Sequence, residues 1–104
     1  MKTKKFMLER MTIDEFSEKH GLVMEIHERS NVDSPDRFYA HFERSDIAEN
    51  GFLVGKFGNG PTPDEAINEY SEKISGKVLV IGAFAGSRRE FLVPILEPRC
   101  KQKK

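Results

Sequence analysis

The sequence predicts an α+β fold: an antiparallel sheet with two helices on one face, ordered α-β-β-β-α, followed by a C-terminal β-hairpin. Three observations carry this expectation. Two segments open on helix caps and continue with apolar residues at helical spacing. Several short segments between and after them alternate apolar with polar residues, as half-buried strands do. Clusters of Gly, Pro, Asn, Asp and Ser mark the joins. A chain of 104 residues supports one domain with a modest core, expected over residues 12–98 between a basic, flexible lead-in (1–11) and a basic tail (99–104).

Taken in order, Thr12-Ile13-Asp14-Glu15 fits a capping box. Ile13, Phe16 and His20 follow at helical spacing, and Gly21 supplies a stop, so a short helix is predicted over 12–20. Leu22–Arg29 reads as a strand, Met24 and Ile26 alternating with Glu25 and His27, and Ser30–Asp36 as a loop. Arg37–Arg44 carries the clearest alternation: Phe38, Ala40 and Phe42 on one side, Tyr39, His41 and Glu43 on the other. Ser45–Gly51 reads as a polar connection ending in Asn50-Gly51, a hairpin signal, and Phe52–Phe57 as the third strand, with Gly55 as a bulge or close approach. Gly58-Asn59-Gly60-Pro61 reads as a tight turn. Thr62 then caps a second helix from about Pro63 to Ser75, with Ala66, Ile67, Tyr70 and Ile74 inward and Gly76 ending it. Lys77–Phe84 and Glu90–Leu96 form the last hairpin around Ala85-Gly86-Ser87, Pro94 making its second strand an edge or terminal one. Val78-Leu79-Val80-Ile81 is apolar on both faces, so the hairpin is expected to extend the sheet or to form a homodimer contact.

The charge is unevenly spread. All 17 acidic residues lie in 6–98 against ten basic ones, a formal charge of −7 there, which the lysines and Arg99 of the two ends cancel. An acidic body is poor material for a broad phosphate-binding face. The single cysteine, Cys100, excludes an intrachain disulfide and a multi-thiolate metal site and fits a reducing, cytoplasmic setting. No apolar run approaches the length of a membrane span, nor follows the N-terminal lysines as in a signal peptide.

Residues 12–75 resemble the double-stranded-RNA-binding-domain fold. Thr12-Ile13-Asp14-Glu15-Phe16 through His20-Gly21-Leu22 is similar to that family's first helix and its exit. Ser34-Pro35-Asp36-Arg37-Phe38 is similar to the entry to its second strand, and Gly58-Asn59-Gly60 to the glycine pair before its last helix. The resemblance implies the fold. In that family lysines at the start of the final helix grip phosphates, whereas Asp64 and Glu65 stand at the matching place here and would repel them. Gly60, Thr62 and Glu65-Ala66 after the strands are also similar to the β-β-β-α unit of HicB-type antitoxins, and the Gly-Asn-Gly to Pro-Ile-Leu stretch resembles small phage and prophage proteins. Neither transfers a functional residue.

No catalytic grouping, cofactor motif or metal motif stands in the sequence. Gly58-Asn59-Gly60 lacks the Gly-Lys-Ser/Thr tail of a phosphate loop. His27-Glu28 begins like a zinc-protease helix, but Asn31 stands where the second histidine is required, in a segment that reads as strand. His27 and His41 fall on neighbouring strands within reach of Glu25 or Glu43; a metal site or small enzyme is one reading of them, and solvated strand histidines the preferred one. The expected interaction surface comprises His27, Tyr39, His41, Lys56, Arg88 and Arg89, on a polar sheet face and a loop tip. The expected function is a non-enzymatic protein-interaction module, such as a phage accessory factor that binds or inhibits a host protein. The alternative is nucleic-acid binding through the basic ends and Arg88/Arg89.

Overall fold

Thr12 begins the first helix as the sequence requires. In the computed structural model, which describes residues 11–31 and 33–98, its side chain accepts from the Glu15 amide and the Glu15 carboxylate accepts from the Thr12 amide. Helix α1 (Ile13–His20) ends at Gly21 in the left-handed region at φ 65°, and buries Ile13 and Phe16. Helix α2 (Pro63–Ile74) is capped by Thr62 and buries Ala66, Ile67, Tyr70, Ser71 and Ile74. The two inward stripes converge with Ala40, Phe42, Ile47, Leu79 and Val93 in one core. The α+β class and the two helices on one side of the sheet are as expected.

The strands are arranged less simply. In chain order they are β1 (Met11–Thr12), β2 (Met24–Glu28), β3 (Phe38–Phe42), β4 (Ser45–Glu49), β5 (Phe52–Val54), β6 (Gly58–Gly60), β7 (Val78–Ile81), β8 (Arg89–Leu92) and β9 (Leu96–Glu97). Hydrogen bonding groups them as β2-β3-β6, as β5-β4-β7-β8, and as the parallel pair β1-β9. The segment expected to connect two strands is therefore itself a strand: β4 pairs with both β5 and β7 and buries Ile47. Beyond it Asn50 and Gly51 have φ of 51° and 82°, which suits a two-residue hairpin of the primed type. The glycine stretch expected as a turn is strand β6, bonded to β3 in the register Phe38↔Gly60 and Ala40↔Gly58. The expected third strand, Phe52–Phe57, is cut short at Val54, just ahead of Gly55, and the close approach is at Gly58 and Gly60 instead, where α2 presses on the backbone. The C-terminal hairpin extends the sheet through β4 and β7, where Leu79 and Val80, on opposite faces, are both fully buried. The basic ends lie outside the described residues, apart from Met11, which is buried and paired with Leu96.

Between β3 and β4 the chain turns through Arg44, at φ 56°, and a closed hydrogen-bond circuit holds the bend. The Phe42 amide donates to the Tyr70 hydroxyl at 3.1 Å, and the Ser45 hydroxyl donates to the Phe42 carbonyl at 2.7 Å. The Tyr70 hydroxyl, 3.2 Å from Ser45 Oγ, closes the ring by donating to it. Burial pushes the Tyr70 phenol pKa up, against the opposing effect of these bonds, so the donor is retained. Tyr70→Phe keeps the packing but strands the buried Phe42 amide. It is expected to lose about 1–3 kcal/mol in urea unfolding, and an unchanged midpoint would refute this role.

Candidate functional site

Strands β2 and β3 pair antiparallel with Glu25 opposite His41 and His27 opposite Tyr39. Directly opposed residues share a face and alternate residues repeat it, so all four side chains stand on the side away from α1 and α2. Pairing and sequence alternation together therefore build the polar, part-aromatic face that the sequence predicts.

The face is ordered by stacking. The His27 ring lies 4.6 Å from that of Tyr39 at 14° and 5.3 Å from that of His41 at 19°, and those two rings lie 6.4 Å apart, so the three near-parallel rings form a compact triangle. The Arg29 guanidinium lies over Tyr39 at 4.5 Å and donates to Asn59 Oδ1 at 3.0 Å. Phe57 meets Tyr39 edge-on at 5.5 Å and is flanked by Lys73, whose ammonium donates to the Phe57 carbonyl. At the other end of the row, Glu25 Oε1 lies 3.4 Å from His27 Nε2 and 3.8 Å from His41 Nε2. His41 Nδ1 is 2.9 Å from the Phe42 carbonyl oxygen. A carbonyl can only accept, so Nδ1 carries the proton, and in the neutral ring Nε2 keeps its lone pair towards Glu25. Glu43, the other carboxylate considered from the sequence, is exposed and lies outside this group.

His41 also borders a groove of about 460 Å³ with Arg44, Asp46 and the Gly82–Ala85 loop, from which Phe84 projects with 95% exposure.

The remaining predicted contact residues have partners elsewhere. Lys56 pairs with Glu49 at 3.7 Å; the Glu49 carboxyl is held below its ordinary pKa by the hydrogen bond from Lys77 and by the charges of Lys56 and Lys77. Arg88 pairs with Glu90 at 2.7 Å. Arg89 donates to the His20 carbonyl at 3.1 Å, at the C-terminal end of α1, and lies over Phe91. The paired arginines are thus engaged locally.

One surface was not apparent from the sequence. Across β5-β4-β7-β8, Leu53 faces Ala48, Ala48 faces Val78, and Val78 faces Leu92. These four side chains form an apolar row on the sheet face opposite Ile47 and Leu79, with Leu53 36% and Leu92 75% exposed. The signal was present in Ile47-Ala48 before Asn50-Gly51, but the polar residues around it concealed the strand. Among the described residues no helix is long and apolar enough to cross a membrane. Comparison with protein-family models, curated proteins and solved structures found no match.

Proposed function

We propose that this chain is a small protein-interaction module, without enzymatic activity of its own, that presents the outer face of β5-β4-β7-β8 to a protein partner. The observation that carries the reading is the four-strand apolar row ending at Leu92, which is 75% exposed on an edge strand. Apolar side chains aligned across a sheet face are the material of interface cores. The β8 edge adds backbone donors and acceptors that an extended partner segment can pair with. Nucleic-acid binding is less well supported, because Arg88 and Arg89 are already engaged and Asp64 and Glu65 occupy the first turn of α2.

A photo-crosslinking residue at position 92 should capture a discrete partner, whereas one at the exposed Glu18 of α1 should not. With the crosslinking residue moved to position 53, at the other end of the row, Leu92→Asp should abolish capture with little change in thermal stability, since substitutions at exposed sites usually change stability by within about 0.5 kcal/mol. A dimeric mass in light scattering that Leu92→Asp makes monomeric would identify the partner as a second copy. The absence of adducts at position 92 would overturn the proposal. So would tight, salt-dependent binding to DNA or RNA that Arg88→Ala and Arg89→Ala remove.

A further inference from the structure

We infer that Glu25, His27 and His41 form a binding site for one divalent transition-metal ion, on the sheet face opposite the helices and separate from the proposed protein-binding face. Two imidazoles and a carboxylate are a donor set that zinc and its neighbours accept, usually with a further position left to water or another ligand. Three observations support the assignment.

The first is distance. Donors bound tetrahedrally at about 2.0–2.1 Å from one zinc lie about 3.3 Å from one another. Glu25 Oε1 is 3.4 Å from His27 Nε2 and 3.8 Å from His41 Nε2, and all three donor atoms lie within 4.8 Å of one another. The remaining closure is within reach of side-chain rotation, because all three side chains are partly exposed. The second is tautomer. His41 donates through Nδ1 to the Phe42 carbonyl, the kind of outer hydrogen bond that orients metal-binding histidines and presents Nε2 to the ion. The third is pre-organisation. The His27 ring packs near-parallel against Tyr39 and beside His41, and the β2-β3 register places Glu25 directly opposite His41. Solvated strand histidines, the reading preferred from the sequence, require none of this convergence.

The test is zinc titration of the untagged, chelator-stripped full chain by calorimetry. One ion should bind per chain, with unchanged affinity in Cys100→Ser and His20→Asn. Magnesium and calcium should not compete, since they favour all-oxygen sites. Loss of a group that hydrogen-bonds to a metal ligand typically weakens metal binding by about 10–100-fold, so His27→Ala and His41→Ala, which remove ligands, should fall at or beyond the upper end of that range. Glu25→Gln should weaken binding as well. A measurement on the unsubstituted protein guards against misfolded variants: the Nε2 resonances of both His27 and His41 should move in nitrogen-detected NMR on adding zinc. Affinity unchanged in both histidine variants, stationary histidine resonances, or no saturable uptake at about 1 mM zinc would each overturn the site.

Discussion

Gly58→Ala is expected to lose more than about 3 kcal/mol of stability, beyond the usual range for overpacking. A Cβ built on Gly58 falls 2.7 Å from Tyr70 Cα, and closer still to the Tyr70 nitrogen and the Ala66 carbonyl oxygen. These are backbone atoms in the middle of α2, so no rotamer change relieves the clash. Strand β6 must bend or the helix must retreat, and retreat draws Ala66, Tyr70 and Ile74 out of the core. Against a total of about 5–15 kcal/mol for a typical domain, such a loss leaves little reserve. At about 4–8 °C per kcal/mol for a domain of this size, the thermal midpoint should fall by more than about 12 °C. Gly86→Ala is the control, because a Cβ there meets nothing within 4 Å; it should stay within about 0.5 kcal/mol of the parent. Gly60→Ala should behave like Gly58→Ala, its Cβ falling 2.7 Å from the Ala66 nitrogen. Circular-dichroism melts of the three proteins decide the matter, and a Gly58→Ala midpoint close to that of Gly86→Ala would refute the account.

Those two glycines also show what the sequence could and could not disclose. Local signals were readable where local chemistry decides the structure. Thr12 with Glu15, Gly21, and Thr62 with Pro63 set the helix ends, and the Ala66-Ile67-Tyr70-Ile74 spacing set the buried face of α2. Gly58 and Gly60 resemble turn residues because their chain neighbours are turn-like, yet their lack of a side chain serves the helix that lies across them. Strand β4 was hidden for a related reason. Ser45, Asp46 and Glu49 are poor strand formers alone, and the segment is extended because Val78–Ile81 supplies a second partner from far downstream beside the near one at Phe52–Val54.

The candidate site divides in the same way. Alternation alone put Glu25, His27, Tyr39 and His41 on one face, because a period of two needs no knowledge of the partner strand. Their convergence depends on register, and a slip of one residue between β2 and β3 would separate Glu25 from His41. The Ser30–Asp36 loop carries no fixed turn geometry from which that register follows. The row from Leu53 to Leu92 required three registers at once, so it became visible only in the folded chain.

Phe42→Ala is expected to cost about 3–5 kcal/mol in one cooperative transition. Phe42 is fully buried where the two larger sheets and both helices meet: its ring lies 6.3 Å from that of Phe16 on α1 and 5.6 Å, edge-on, from that of Tyr70 on α2. Truncation therefore opens a cavity shared by every layer of the fold, and no single element can collapse to fill it. If the layers rest on one core, urea unfolding should keep its slope while the midpoint falls. Two resolved transitions would mean that the sheets are independent units, and a loss below about 1.5 kcal/mol would mean that the site collapses. The pair with Tyr70→Phe sharpens the test, because Tyr70 touches Phe42 twice, through the ring and through the amide-to-hydroxyl bond. Residues coupled in this way depart from additivity by about 0.5–3 kcal/mol. The double variant should lose less than the two single losses combined, since once the Phe42 ring is gone the bend relaxes and its amide finds water.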